Sequence, residues 1–454
     1  MKPETIIAPA TPEGRSAIAV LRVSGPDTFR LLSQLFHPFR PYDITQLPVG
    51  KLIYGYLRKD ARIIDEVMVA VFKAPHSYTR EDMAEIYCHG NPIIVQDIVD
   101  VFEFLGARLA ERGEFTLRAF LNGRIDLTQA EAIMSLINAT NKIGLEVGLN
   151  QLFGGLKSEL EQIRTGILNI LTTLEAEINF PEDVGELKRD SLPLSLDGLI
   201  SRILRMLNGA KLYQGIERGI RVAIVGYPNV GKSSLFNAIL REERAIVYDL
   251  KGTTRDVITE HFSLGDLTVE LMDTAGIMDE VDGIDKVAVE RTRTFIESAW
   301  LVILVLEAGR ALNDVERTLI RELRDMGKRL IVFVNKMDLF SNWRLNEDLR
   351  LPIIYGSTRS EESVDNLLNE LEKGLDEIKS KRDQMYVLRE FQRQELNSAY
   401  DALLLAKEYA LAGEREELVS AQLQVALECL DRIEGKEFNE EVLSKVFQEF
   451  CIGK

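Results

Sequence analysis

The stretch Ile224–Leu235, "IVGYPNVGKSSL", decides the fold of the middle of this chain. An apolar, β-branched run stops at Gly226, a glycine-rich turn follows, and a helix-forming run opens at Lys232. The spacing fits GxxxxGK[ST], with Gly226, Gly231, Lys232 and Ser233 in the fixed places. Glycines let backbone N–H groups close around phosphates, and the helix N-terminus adds its dipole. Lys232 is expected to neutralise β/γ-phosphate oxygens and Ser233 to ligate magnesium.

Three more motifs follow in order. "GTTRD" offers Thr254, a hydroxyl able to close over a second magnesium position. "DTAG" comes after the strand-like "VELM", so Asp273 lies at a strand's carboxyl end, where open α/β sheets bind ligands. It can hold magnesium through water, and the Gly276 amide can meet a γ-phosphate. "VNKMD" reads the base. The Asp338 carboxylate can accept from guanine N1–H and the exocyclic amine, whereas adenine would set acceptor against acceptor. Asn335 and Lys336 would frame the purine. Together these motifs imply a GTP-hydrolysing domain. Its hydrolytic apparatus is incomplete by the Ras pattern, because the residue after DTAG is Ile277 rather than a glutamine. No arginine finger stands in "IMDEVDGIDK", so another positive group must offset charge developing on the phosphates.

Outward from these motifs, strands "RVAIVG", "TVELMD", "WLVILVLEA", "RLIVFVN" and "PIIYG" alternate with helical runs, the signature of a parallel sheet. This segment, 219–379, interrupts a Leu/Ala/Glu/Gln-rich helical region covering 119–218 and 380–454. Long helices are expected from Asp126 to about Phe180. A later helix carries a stripe of Leu199, Ile200, Ile203, Leu204 and Leu207. The first part, 1–118, mixes strands ("AIAVLRVSG", "KLIYGYLR", "DEVMVAVFKAP", "DMAEIYCHG") with helices ("DTFRLLSQLF", "PIIVQDIVDVFEFLGA"). The expected fold is therefore multidomain α/β. It comprises an α+β N-terminal domain, a discontinuous helical bundle, and an inserted Ras-like P-loop domain with helices on both faces of a parallel-rich sheet.

With 454 residues, several domains are expected. Three cysteines, Cys88, Cys429 and Cys451, show no CxxC spacing, so neither a disulfide framework nor a zinc site is indicated. The start lacks an export signal and no apolar run is long enough for a membrane span, so a cytoplasmic protein is expected. The formal charge of −17 argues against broad, non-specific nucleic-acid binding, which needs a basic face. A local patch remains open at Arg108, Arg112, Arg118 and Arg124, where a solvated surface is an equal reading. The terminal "FCIGK" is no prenylation box, since Gly453 and Lys454 occupy the wrong places.

The segments "ATPEGRSAIAVLRVSGP", "YTREDMAEIYCHG", "RGEFTLRAFLNGRIDLTQAEAI", "AIVYDLKGTTRD" and "FCIGK" together resemble the bacterial and organellar tRNA modification GTPases, the MnmE/TrmE family, over essentially the whole chain. The resemblance implies a homodimer that works with an FAD-dependent partner subunit, MnmG. Together they place an aminomethyl or carboxymethylaminomethyl group on wobble uridines of certain tRNAs. It implies 5-formyltetrahydrofolate as the one-carbon source, held by Arg22, Glu85, Arg124 and Lys454. Read alone, Arg22 is equally a surface residue or an ion-pair partner. GTP contacts are expected from Asn229, Val230, Gly231, Lys232, Ser233 and Ser234; from Tyr248, Asp249, Leu250, Lys251, Gly252, Thr253 and Thr254; and from Asp273, Thr274, Ala275 and Gly276. Asn335, Lys336, Asp338, Ser357, Thr358 and Arg359 complete that set.

By the same resemblance a potassium ion takes the place of the missing arginine, ligated by the Asn229 side chain and the carbonyls of Tyr248, Leu250 and Thr253. Magnesium falls to Ser233 and Thr254. Asp285 aligns with the family's catalytic carboxylate, usually a glutamate; a solvated acid is its plain alternative. Cys451 is expected to be needed for modification, with a covalent role left open. Where a lysine is frequent in the family this chain has Arg124. A ribosome-assembly or signalling GTPase switch would share the nucleotide motifs, but it has no use for the N-terminal part or the tail.

Overall fold

The computed structural model describes residues 4–40, 48–179, 191–217, 219–242, 259–273, 295–436, 443 and 446–453. Its first unit is a seven-stranded sheet ordered β3-β4-β5-β6-β2-β1-β7, from β1 (Ile6–Pro9), β2 (Ser16–Ser24), β3 (Phe36–Pro38), β4 (Ile53–Lys59), β5 (Arg62–Phe72), β6 (Met83–Gly90) and β7 (Arg108–Leu109). The β1–β7 pair is parallel and the other pairs antiparallel. Strands β2 and β4–β6 match the alternating runs in the sequence, whereas β1, β3 and β7 are too short to show a period. Helices α1 (Thr28–Leu35) and α2 (Pro92–Phe104) cover the sheet and share its core with Leu31, Leu35, Ile98 and Phe102. Asn91 caps α2 by accepting from the Ile93 N–H, and Pro92 takes the first turn, where no donor is lost.

The helical part opens with α3 (Glu114–Leu121) and continues through α4 (Leu127–Asn138), α5 (Lys142–Leu152), α6 (Gly155–Asn179) and α7 (Ser191–Glu217). The expected run from Asp126 to Phe180 is thus three helices. Asp126 and Gln129 form a capping box that starts α4, and Asn141 caps α5. In α7 the 3.6-residue winding carries the buried face through Leu196, Leu199, Ile203, Met206, Ala210 and Tyr213. Leu204, expected in that stripe, is instead 43% exposed.

The second unit is a six-stranded sheet ordered β13-β12-β11-β8-β10-β9. Its strands are β8 (Ile220–Gly226), β9 (Thr259–Leu264), β10 (Leu267–Asp273), β11 (Leu301–Glu307), β12 (Arg329–Asn335) and β13 (Ile353–Tyr355). All neighbours are parallel except the antiparallel edge pair β9–β10, which sequence patterning missed. Helices α8 (Lys232–Glu242), α9 (Asp314–Asp325) and α10 (Glu361–Ser380) belong to this unit. Alternate residues of β11 enter two different cores, Ile303 and Val305 on one face and Val302 and Leu304 on the other. Burial on both faces explains why this strand reads as one unbroken apolar run.

After α10 the chain returns to the bundle as α11 (Glu390–Ala412) and α12 (Glu416–Glu434). α7 packs along α11 and α6 along α12, sharing a core of Leu160, Ile167, Ile203, Leu403, Leu423 and Leu430. Buried Gln151 ties the halves together. Its amide donates to the Thr128 and Val387 carbonyls and its oxygen accepts from the Val387 N–H, each near 3.0 Å.

Candidate functional sites

The glycine-rich loop lies at the carboxyl end of β8, which has β10 and β11 on either side. It is drawn tightly onto its neighbours. A Cβ on Gly231 would sit 2.3 Å from the Asn335 Nδ2, and one on Gly226 would sit 2.4 Å from the Val305 carbonyl oxygen. Asn335, at the end of β12, explains the first approach, since its Nδ2 donates to the Val230 carbonyl at 2.9 Å and its Oδ1 accepts from the Thr358 N–H at 3.0 Å. Lys232 is buried, with its Nζ donating to the Tyr227 carbonyl at 3.1 Å. Ser233 and Ser234 open α8 exposed, as does Asn229 in the loop, where φ is 65°.

Lys336 joins the two motifs. Its Nζ donates to the Asn229 carbonyl at 3.0 Å and pairs with Glu307 at 2.6 Å. Glu307 lies opposite Asn335 in the β11–β12 register. The Lys336 hydrogen bond, with Arg310 behind it, holds this carboxyl below the usual carboxylate range. Asp338 is about one-third exposed, 3.8 Å from the Arg359 guanidinium, and Ser357 is buried with its hydroxyl accepting from the Arg359 N–H. Asp273 ends β10 opposite Ile224 of β8, two residues before Gly226 of the glycine-rich loop. The stretches Tyr248–Thr254 and Thr274–Gly276, with Ile277, Asp285 and Lys454, lie outside the described residues. Sequence reasoning missed Glu307. Its position at the carboxyl end of a central parallel strand was the available signal.

A second constellation forms on the N-terminal sheet. Arg22 and Glu85 are register partners on β2 and β6, and Arg22 Nε donates to Glu85 Oε1 at 2.9 Å. The plain ion-pair reading of Arg22 therefore holds, but it is not the whole account. A second Arg22 nitrogen reaches the Gly453 carbonyl at 3.5 Å, across 431 positions of sequence. Tyr78 lies between two guanidiniums, Arg22 at 5.3 Å and Arg124 at 4.5 Å from the ring centroid, within cation–π range. Its hydroxyl shares a hydrogen bond with Thr116. The Tyr87 hydroxyl donates to the other Glu85 oxygen at 2.8 Å; burial first, and this bond second, push its pKa up. Tyr78 and Tyr87 lie in the segment "YTREDMAEIYCHG", but sequence reasoning singled out only Glu85 there.

The tail is seated by Phe447 and Phe450, packed with Phe120, and by the Gly113 N–H donating to the Cys451 carbonyl at 3.4 Å. Gly453 adopts φ 89° against β1, where a Cβ would lie 1.9 Å from the Pro9 carbonyl oxygen. Cys451 itself is exposed. Of the four arginines of the candidate basic patch, Arg108 and Arg118 are engaged with Glu114, and Arg118 also with Glu81. That part of the segment is a network of pairs, not a free cationic surface.

A family model described as "MnmE helical domain" matches residues 127–451, and another described as "GTP-binding protein TrmE N-terminus" matches 5–124. The tRNA modification GTPase MnmE of Finegoldia magna is 37% identical over 99% of this chain and 100% of its own length. That of Carboxydothermus hydrogenoformans is 36% identical over 100% of each. Among solved structures, the G domain of the Thermotoga maritima FeoB iron transporter is 24% identical over 35% of this chain and 98% of its own, with a TM-score of 0.25. Identity at this level, sustained across the N-terminal sheet, the bundle and the nucleotide-binding unit alike, makes this chain a member of the MnmE family of tRNA modification GTPases.

Proposed function

We propose that this chain is a potassium-activated GTP hydrolase, acting as a cytoplasmic homodimer with an FAD-dependent MnmG-type subunit. Together they add an aminomethyl or carboxymethylaminomethyl group to C5 of the wobble uridine of certain tRNAs, with 5-formyltetrahydrofolate supplying one carbon. The observation that carries this reading is the contact of Arg22 with Gly453, which joins the tail to the N-terminal sheet beside Arg124. A plain GTPase switch has no use for that junction. The units at 1–118 and 219–379 then divide folate binding from GTP hydrolysis, and the bundle at 119–218 and 380–454 connects them.

The residues present suit the groups they would hold. The loop leaves no space for side chains at Gly226 and Gly231, while Ser233 and Ser234 stay open at the start of α8. Lys232 turns from the Tyr227 carbonyl to the β/γ oxygens of GTP, and Ser233 ligates magnesium together with Thr254. Asp338 accepts from the guanine edge, and the Arg359 pair, long at 3.8 Å, yields to it. Exposed Asn229 offers its side-chain oxygen to potassium, whose charge would stabilise the transferring phosphate. At the second site Arg124 presents an exposed guanidinium steadied on Tyr78, suited to a folate carboxylate, while Arg22 and Glu85 hold each other and the tail in position. Cys451, two residues before Gly453, is an exposed nucleophile.

The test is nucleoside analysis of tRNA from cells lacking the gene, complemented with the intact chain or with Cys451→Ser. The intact chain restores the modified wobble uridine; Cys451→Ser does not, and the purified variant keeps its GTP turnover. Full modification with Cys451→Ser would reduce the tail to an anchor.

A further inference from the structure

Two guanidiniums of the segment around α3 meet on one carboxylate. Glu114, the first residue of α3, is buried, and each of its oxygens accepts twice. Oε1 accepts from Arg108 Nη2 at 2.7 Å and from Arg118 Nη2 at 2.8 Å. Oε2 accepts from Arg108 Nη1 at 3.1 Å and from the Glu111 N–H at 2.9 Å. Burial pushes the Glu114 pKa up, but these donors outweigh it and hold the carboxyl below the usual carboxylate range. Buried ion pairs are weak devices for stability, since apolar residues of similar volume often serve as well. What this one does beyond stability is fix a shape.

The Glu111 N–H bond, with the Glu114 N–H returning to the Glu111 carbonyl at 3.2 Å, closes the turn Glu111–Arg112–Gly113–Glu114. Gly113 stands in that turn at φ 69°, a conformation glycine adopts without strain, and it faces the tail. Its N–H donates to the Cys451 carbonyl at 3.4 Å. A Cβ there would lie 2.5 Å from the Phe447 carbonyl oxygen and 3.0 Å from the Phe450 Cβ. The same two arginines also reach the tail's other seat. Arg108 Nε pairs with Glu4 at 2.9 Å, and Arg118 Nη1 donates to the Glu4 carbonyl at 2.8 Å. Glu4 leads into β1, whose last residue, Pro9, receives Gly453. Both supports of the tail are therefore tied to one carboxylate.

We infer that Glu114 is a positioning residue for Cys451, fixing through the Glu111–Glu114 turn where the thiol stands for the modification step. The inference rests on the role proposed above for the tail. A glutamine cannot replace Glu114. In either amide orientation its NH2 group takes the place of one oxygen and faces two N–H donors, so donor meets donor. Glu81 is a fair comparison, because it accepts from Arg118 at 3.0 Å and from Ser24 at 2.8 Å but makes no bond to the turn.

The experiment places a nitroxide label on Cys451 of the full chain, where it is exposed while Cys88 and Cys429 are buried. The intact chain gives a restrained label, and in Glu114→Gln the mobile component dominates the spectrum. Without the label, Glu114→Gln modifies wobble uridine about 10- to 100-fold more slowly in the reconstituted system, with GTP turnover unchanged. Glu81→Gln, which loosens the same network away from the turn, keeps the label restrained and modification near normal. Should Glu114→Gln fail to fold, Glu114→Asp keeps the charge between the arginines but is too short to reach the Glu111 N–H as well, and it too frees the label. A label that stays restrained in these Glu114 variants, or is freed equally by Glu81→Gln, would overturn the inference. Cys451→Ser, run alongside, separates the two failures. Full modification by Cys451→Ser overturns the role of the tail, whereas its loss beside full modification by Glu114→Gln overturns the role of Glu114 alone.

Discussion

Replacing Gly453 by alanine is the sharpest perturbation of the tail. The new Cβ would stand 1.9 Å from the Pro9 carbonyl oxygen, where contacts shorter than 3.0 Å essentially never occur. The opposing atom is backbone of β1, paired to β2 and unable to retreat cheaply. The tail must therefore move outward by about 1 Å. At φ 89° alanine also incurs left-handed backbone strain of about 1–2 kcal/mol. That strain is comparable to one or two ordinary hydrogen bonds, which is about what the Arg22 and Gly113 contacts supply, so the tail should leave its seat. A misplacement of about 1 Å can cost roughly 100-fold in rate where reacting groups must be aligned. The expected outcome is a fall of about two orders of magnitude in wobble-uridine modification by the reconstituted system. GTP turnover and thermal stability should remain near normal, since the motif-bearing loops are elsewhere. Normal modification by Gly453→Ala would refute the argument that the tail acts from this seat.

Potassium should accelerate GTP turnover strongly over sodium. Asn229→Gly, which tolerates the φ of 65° better than alanine, should abolish that preference while sparing nucleotide affinity; equal rates in both salts for the intact chain would count against it. Asp338→Asn should weaken GTP and favour xanthosine triphosphate in competition assays, and unchanged GTP affinity would remove Asp338 from base reading. Asp285→Ala should cut turnover by about two or more orders of magnitude with little change in GTP affinity, within the range of general acid–base groups; a near-normal rate returns Asp285 to a solvated acid. Glu131 makes folding pH-dependent. Its folded pKa of about 8 exceeds the usual 4.5, so the chain loses up to about 1.4 kcal/mol per unit as pH rises through that window, with the loss complete above it. Melting temperatures at pH 6 and pH 8 should therefore diverge more for the intact chain than for Glu131→Gln.

The nucleotide-binding unit was legible because its chemistry is local. Glycines, a lysine and a serine within eight positions leave few ways to build Gly226–Ser233. Strands β2, β4, β5 and β6 announced themselves through alternation, and β11 through burial on both faces. Strands β1 and β9 did not. The first is four residues long, and the second is an antiparallel edge in a sheet whose other neighbours are parallel. Leu204 misled because apolar spacing marks a stripe without saying how much of it a neighbour covers. The tail was suspected from Gly453, but its seat on Pro9 depends on contacts between opposite ends of the sequence. Glu131 was invisible, since a glutamate in "LTQAEAIMSL" looks like any solvated helix residue until the surrounding helices close over it. Glu307 and Tyr78 are similar cases, defined by what the fold brings beside them.

The bundle's divided chain has a consequence in time. Helices α6 and α7 are covered by α11 and α12, yet about 170 residues separate the end of α7 from the start of α11. At roughly 5–20 residues per second of synthesis, the apolar face of α7 waits about 10 to 35 seconds for α11, and that of α6 longer for α12, while the six-stranded sheet emerges between them. During that interval the nascent chain presents Leu160, Ile163, Ile167, Ile203 and Met206 uncovered. The N-terminal sheet waits longer still. Strand β1 leaves the ribosome more than 400 residues ahead of the residue that docks on it, Gly453.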